Sequence, residues 1–508
     1  MTSISIDAGT TAIKAVGHGD DGAELVVVRR GVKVARPRPG WAEQDMGQVW
    51  AAAAEAVREV AAQLPEAPDL LAFTSQGDGC WLIDEGGEPT GPAVLWSDGR
   101  AAGVVDNWRD AGVLDTAFRL NGSVTFPGLA NAILAWFAEH DPDRLARSSA
   151  ALTCGGWMFQ RLTGLVAADE SDASAPFLDP RTRAYSPDLI AMFGLEAQAR
   201  LLPVVVGDER RAAPLGARAA AELGLPAGLP VVMAPYDVAA TAIGAGAVTI
   251  GTACTILGTT LCTEVVRDEP DTAGEPAGLT VALDSSRKDA APNDTAFTGS
   301  SGRILRVYPT LAGTEVIDWA TTMLGLDSPQ ALSDLAGLAA PAAGPVFLPY
   351  LSPAGERAPF LDTAARGTFW GLSLEHGREQ VARAVFEGLS LTIKDCVAAS
   401  GAAVTELRLC GGGTGSDVWC QMIADVTGLP AVRTQDTEVG AKGAFLSGLV
   451  ATGAEPDLAS AVDKYVREGD RFTPDPAASE RYARLYEEFL DLRAIARPGW
   501  RRQADRRE

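Results

Sequence analysis

Histidine is nearly missing from this chain, with His18, His140 and His376 the only three in 508 residues. With so few imidazoles and no His-Glu-x-x-His run, a Ser-His-Asp hydrolase or a His-ligated zinc enzyme is disfavoured. Any proton transfer would then fall to a carboxylate. Paired cysteines are missing too. The seven thiols (Cys80, Cys154, Cys254, Cys262, Cys396, Cys410, Cys420) form no Cys-x-x-Cys pair, so buried reduced cysteines are expected and neither a disulfide nor a metal framework. Basic charge is in deficit: 43 Lys and Arg stand against 66 Asp and Glu, a formal net charge of −23. Nucleic acid and anionic membrane are both gripped by excess cations, so neither is expected as a partner. The one basic stretch, Arg493 to Arg507, reads as a solvated helix end. The longest uncharged run, Val238 to Cys262, is too rich in Gly and Thr for a membrane span. The first strand begins at the second or third residue, which leaves no room for a signal peptide; a cytoplasmic location is expected.

What is present is the composition of a folded globular protein, 47% apolar and 21% charged, with 54 Gly and 31 Pro. Its length suggests roughly two to four domains and allows a large core. The chain is organised around Ser5-Ile6-Asp7-Ala8-Gly9-Thr10-Thr11-Ala12-Ile13-Lys14. Apolar β-formers lead into a small-residue turn, and a second alternating run leads out, so the stretch reads as strand, tight turn, strand. Such a turn can present successive N–H groups and hydroxyls to an anionic oxygen, and Asp7 beside it could hold a hydrated Mg²⁺. Gly-Thr turns also occur in hairpins that bind nothing, so repetition matters. A second one, Leu257-Gly258-Thr259-Thr260-Leu261, sits about 250 residues later between β-prone residues. Two such nests, each heading an α/β half, would face one another across a cleft.

Between them, Met46 to Leu64 reads as a helix with Val49, Ala53, Val57 and Val60 on one face. Leu70 to Thr74 reads as a buried strand, with Ser75-Gln76-Gly77-Asp78-Gly79 at its carboxyl end, where α/β sheets usually bind ligands. Glu170 to Ser174 reads as a polar loop. The apolar strand Pro230 to Met233 ends in a lone carboxylate, Asp237, which could also simply cap the helix that follows. Residues 268–301 read as a polar, irregular excursion. Leu407 to Cys410 is a strand leading into Gly411-Gly412-Gly413-Thr414-Gly415-Ser416, with Ser416 as N-cap of the next helix; this is a nucleotide contact surface. The G-x-G-x-x-G spacing of a dinucleotide site is absent.

Taken together, these segments resemble the FGGY carbohydrate kinases of the actin/hexokinase/sugar-kinase superfamily, over roughly residues 3 to 450. Asp7 to Thr11 looks like the first phosphate motif, Leu257 to Thr260 like the second, and Gly411 to Gly413 with Ser416, Trp419 and Gln421 like the adenosine motif. Gly40 to Asp45 and Gly355 to Phe360 also look like family segments. Gly367-x-Phe369-x-Gly371-Leu372, followed after seven residues by Gln380-Val381-x-x-Ala384-Val385-Phe386-Glu387, looks like the carboxyl-half signature. In the amino-half signature, Asn131 and Ala132 stand where a lysine is usual.

The resemblance implies an α/β, two-domain actin-like ATPase (ribonuclease H-like) fold, domains 1–243 and 244–508, with ATP and sugar meeting in the interdomain cleft. It implies Asp237 as the catalytic base, although Ala234-Pro235-Tyr236-Asp237 lacks the family's glycine. Gln76, Gly77, Asp78 and Asp237 are the expected substrate-binding residues. Gly9, Thr10, Thr11, Lys14, Gly258, Thr259, Thr260, Gly411, Gly412, Gly413 and Ser416 are the expected nucleotide contacts, and Asp7 and Asp237 the expected Mg²⁺-facing carboxylates. Gln76-Gly77-Asp78-Gly79 resembles the segment of erythritol kinases, and Tyr236-Asp237-Val238 that of L-xylulose kinases. Asp78 can accept from two adjacent hydroxyls, and Gly77 is read as opening space. A small four- or five-carbon polyol or ketose is expected, erythritol-like or L-xylulose-like with erythritol slightly ahead; D-xylulose is the alternative rather than the favourite. A non-catalytic sugar-binding regulator and a filament-forming ATPase are the other classes on this fold; a homodimer is left open.

Overall fold

The computed structural model describes residues 2–207, 210–284 and 302–504. It contains two large mixed sheets built on the same plan. In the amino lobe, Ser3–Ala8 pairs antiparallel with Ala12–His18, which pairs antiparallel with Glu24–Gly31. On the other side Ser3–Ala8 runs parallel to Leu70–Ser75, which runs parallel to Pro230–Met233. The carboxyl lobe repeats the pattern. Thr252–Leu257 pairs antiparallel with Leu261–Arg267 and through it with Ile304–Pro309, and runs parallel to Glu406–Cys410 and then Ala431–Thr434. Each sheet therefore carries one Gly-Thr hairpin at its centre, and a parallel strand beside it opens into a ligand loop.

Helices cover both faces of each sheet, which is why the central strands read as continuous apolar runs. Met46–Gln63 lays Val49, Ala53, Val57 and Val60 against Ile4, Ile6 and Phe73, the face expected from its spacing. In the carboxyl lobe, Arg378–Ala399 buries Val385, Leu389 and Ile393 against Leu407 and Leu409.

Two helices cross between the lobes. Asp237–Ala245, which follows the amino-lobe sheet, packs Ala239, Ala242 and Ile243 against Cys254, Val266 and Cys410 of the carboxyl lobe. Val439–Ala451 returns the exchange: its Ala444 packs on Leu70, Ala72 and Val232 of the amino-lobe sheet. The pair approach so closely that a Cβ on Gly443 would lie 1.8 Å from the Ala240 carbonyl oxygen, and one on Gly244 1.9 Å from that of Val439. Both helices begin at the cleft, so their N-termini point into it.

Three expectations need correction. The stretch Glu170–Ser174 is no loop but a short helix, buried throughout and N-capped by Asp169. The excursion 268–301 contains a buried strand, Leu279–Ala282, at the edge of the carboxyl-lobe sheet; its residues 285–301 lie outside the described residues. The basic carboxyl-terminal segment is not wholly solvated. Arg493 is 16% exposed, pairs with Asp395, and lies over the Phe360 ring at 4.6 Å. Asp395 lies 98 residues earlier, in a different helix, so no local pattern could announce the pairing. All seven cysteines are free and buried. Among the described residues, no helix is long and apolar enough to cross a membrane.

Candidate active site

The first hairpin is closed by Gly9 N–H donating to the Ala12 carbonyl at 3.1 Å. Thr10 at its tip is held from three sides. Its hydroxyl donates to Gln76 Oε1 (2.9 Å) and accepts from Trp96 Nε1 (3.0 Å), and its carbonyl accepts from Gln44 Nε2 (2.6 Å). Gln76 completes the set by donating to Gln44 Oε1 at 2.8 Å. Both ends of the Gln76 amide are therefore committed to protein partners, behind the cavity wall rather than in it. Thr11 is exposed, and its carbonyl accepts from Val32 N–H. Lys14, opposite Asp7 in the ladder, reaches Asp7 Oδ2 at 3.3 Å and Glu438 Oε2 at 2.8 Å. Its ammonium spans the lobes and faces two carboxylates.

The second hairpin lies against a cavity of about 470 Å³. Gly258 and Thr259 form one wall, Gly412, Gly413 and Ser416 another, and Phe386 and Trp419 the apolar floor. Glycine is required here: Gly411 sits at φ +91°, and a Cβ on Gly413 would lie 2.5 Å from the Trp419 ring and 2.8 Å from Leu257. Ser416 caps the helix Asp417–Thr427 by accepting from Trp419 N–H at 3.0 Å. The start of that helix and the second hairpin thus share the walls of one cavity, whose volume leaves room for a flat ring.

A second cavity, of about 180 Å³, opens between the lobes. Thr10, Gly77, Asp78, Trp96 and Phe126 line it from the amino lobe; Thr260, Cys262 and Arg357 line it from the carboxyl lobe; Tyr236 and Asp237 stand between. Asp237 is the first residue of its helix, and its Oδ1 accepts from Val238 N–H at 2.9 Å. Burial first, then the neighbouring charge of Asp7, pushes its carboxyl up to about 8. Asp78 occupies the left-handed region at φ +56°, a conformation an aspartate tolerates only at some cost. Burial pushes its carboxyl up to about 7, opposed by the Arg357 guanidinium. Two near-neutral carboxyl groups and one cation thus converge on a small enclosed space, the perturbed-titration pattern of a functional site.

Several supports were not visible in the sequence. Gly77 does not open space. A Cβ there would lie 2.1 Å from Cδ2 of Tyr236, whose ring already fills the room the missing side chain leaves. The buried helix Glu170–Ser174 props the turn ahead of Asp237, because Ser171 Oγ accepts from Tyr236 N–H at 2.9 Å while donating to Asp169 at 2.7 Å. Arg357 reaches the cavity from a proline-rich loop in the other half and donates to the Pro309 carbonyl at 2.7 Å.

The donor set suits Mg²⁺. Asp7 is mostly buried near Asp237, and a Cβ on Gly440, at the start of the returning helix, would lie 3.4 Å from Asp7 Oδ2. Among the described residues no three His, Cys, Asp or Glu side chains cluster to cage a metal. One or two carboxylates sharing the ion with substrate phosphates is how Mg²⁺ is usually held.

Two family models cover most of the chain: the N-terminal domain of the FGGY family of carbohydrate kinases matches residues 2–244, and its C-terminal domain residues 247–452. The chain belongs to the FGGY family of carbohydrate kinases. It is accordingly a kinase that phosphorylates an alcohol group, with the family's two-domain α/β fold. Among its relatives, the erythritol kinase of Brucella abortus is 31% identical, the match covering 98% of this chain and 96% of that one. The L-xylulose/3-keto-L-gulonate kinase of Escherichia coli is 28% identical, covering 96% of each. Among solved structures, the xylulose kinase of Rhodospirillum rubrum superposes with a TM-score of 0.87 at 27% identity, over 99% of this chain and all of that one. The ligand-bound xylulose kinase of Lactobacillus acidophilus reaches 0.90 over 99% of both chains, at 21% identity.

Proposed function

We propose that this FGGY kinase transfers the γ-phosphoryl of ATP to a hydroxyl of a small polyol or ketose, erythritol-like or L-xylulose-like. The observation that carries the reading is the small interlobe cavity, which places the Asp237 and Asp78 carboxyls beside the first hairpin. The similarity to an erythritol kinase and an L-xylulose kinase supports the same substrate class.

In this reading the adenine lies in the larger cavity against Gly411, Gly412, Gly413 and Ser416. The phosphates run between Gly9, Thr10 and Thr11 on one side and Gly258, Thr259 and Thr260 on the other. Asp78 accepts hydrogen bonds from adjacent hydroxyls of the acceptor. Asp237 takes the proton of the attacking hydroxyl as the bond to phosphorus forms, and the bond to the β-γ bridging oxygen breaks to release ADP. The hydroxyl's own acidity is very weak, so the transfer is late; positioning and charge neutralisation do most of the work. Mg²⁺ held by Asp7 and Asp237, when bound, neutralises charge on the phosphates. Lys14 reaches a phosphate only by leaving Glu438. Gln76 fixes Thr10 and so acts on the nucleotide side of the cleft. Closure of the lobes about the crossing helices excludes water, which would otherwise compete as acceptor.

The test is ADP release by the purified protein with ATP, Mg²⁺ and a panel of erythritol, threitol, glycerol, ribulose, L-xylulose and D-xylulose. Acceptor-dependent release is expected, strongest with four- or five-carbon acceptors. Release that no acceptor in the panel stimulates would overturn the reading.

A further inference from the structure

We propose that Tyr236 sets the length of acceptor this site takes: its ring walls off one end of the cavity, and its hydroxyl donates a hydrogen bond to the short chain that fits. The inference rests on the small polyol or ketose reading and adds the residue that enforces it.

Tyr236 and Gly77 interlock. A Cβ at position 77 would lie 2.1, 2.5 and 2.8 Å from Cδ2, Cε2 and Cγ of the ring, so the glycine exists to admit the tyrosine. The ring cannot swing aside freely. Its backbone N–H is anchored to Ser171, and the next residue is Asp237 at the start of a helix locked against the returning helix. Tyr236 is only 6% exposed, yet it lines the cavity, and its hydroxyl has no hydrogen-bond partner among the described residues. The oxygen itself is not sealed off, so an acceptor in the cavity can supply the partner. The Asp78 carboxyl and Arg357 line the same cavity. A cavity of about 180 Å³ bounded by this ring suits a chain of four or five carbons bearing oxygens on both edges. The same wall excludes longer acceptors by collision, which discriminates more sharply than a weak contact does.

The test measures calorimetric affinity and kcat/KM for four-, five- and six-carbon polyols and ketoses on the wild type and on Tyr236→Phe, Tyr236→Leu and Gly77→Ala. Tyr236→Phe keeps the wall and loses the donor: KM for the preferred short acceptor should rise about tenfold, with the order of chain lengths unchanged. Tyr236→Leu should move preference at least tenfold toward five- and six-carbon acceptors. Gly77→Ala should push the ring into the cavity and weaken short acceptors, and Gly77→Ala with Tyr236→Leu should recover part of that loss. KM for ATP and the melting temperature report whether each variant folds. Variants that fold but retain wild-type chain-length preference and KM overturn the inference, as does a wild type that binds no polyol or ketose. If binding selectivity shifts as expected but no acceptor is phosphorylated, Tyr236 stands and the kinase reading falls.

Discussion

Replacing Asp237 with Asn should abolish turnover and stabilise the protein at alkaline pH. The carboxyl stands at about 8 in the folded chain against an ordinary 3.8, because burial and the Asp7 charge penalise its ionised form. Below pH 3.8 it is protonated in both folded and unfolded chains. Between 3.8 and about 8 the unfolded chain gives up the proton and the folded one keeps it, so stability falls as pH rises. At about 1.4 kcal/mol for each pH unit, the full cost above pH 8 has a ceiling of about 6 kcal/mol. The side chain opens onto the cavity, and solvent there reduces the realised cost to on the order of 2–3 kcal/mol. Asparagine is nearly isosteric, keeps an oxygen for Val238 N–H, and carries no charge. The melting temperature of Asp237→Asn should therefore exceed that of the wild type by a few degrees at pH 8.5 and by less at pH 5. Turnover in the ADP-release assay should drop by roughly 10²–10⁴-fold with ATP affinity little changed. In the wild type, about one-tenth of the carboxyl is ionised at pH 7, so kcat/KM should climb with pH and level near 8. Turnover within tenfold of wild type would refute the base assignment. A melting temperature unchanged or lowered at pH 8.5 would refute the electrostatic argument beneath it.

Three other perturbations separate the parts of the site. Asp78→Ala should raise KM for the acceptor and spare that for ATP; steady-state kinetics with each substrate varied in turn checks this, and an unchanged acceptor KM removes Asp78 from the site. Gln76→Leu strands Thr10 and Gln44 without a shared partner, at about 1–3 kcal/mol. Because Gln76 acts through Thr10, KM for ATP should rise more than KM for the acceptor, and the reverse split would return Gln76 to the acceptor's surface. Gly443→Ala puts a methyl 1.8 Å from the Ala240 carbonyl oxygen and must part the crossing helices, so thermal denaturation should show a loss of about 1–3 kcal/mol or more, with slower turnover.

Much of this architecture could be read from the chain because it is written in local chemistry. The Gly-Thr hairpins, the apolar face of Met46–Gln63 and the Ser416 cap each depend on residues within a turn or two of one another. What escaped was long-range. Glu170-Ser171-Asp172-Ala173-Ser174 looks like a solvated loop until Tyr236, 65 residues on, is seen to need Ser171. Gly77 looks like space until the tyrosine that fills it is placed. Gln76 sits in the segment expected to touch the acceptor, but its amide is consumed by Gln44 and Thr10, partners 32 and 66 residues away. Lys14 likewise finds Glu438 across the lobes. Periodicity reports which face a strand buries; it does not report which distant carboxylate a buried cation will meet.

The most direct measurement is a crystal structure with a small polyol, Mg²⁺ and an unreactive ATP analogue bound together. The account predicts one acceptor hydroxyl about 3 Å from the Asp237 carboxylate and in line with the terminal phosphorus, with that phosphate between Thr10 and Thr259 and the polyol's far end against the Tyr236 ring. A polyol bound elsewhere, or an Asp237 carboxylate turned away from it toward its own helix, would contradict the account.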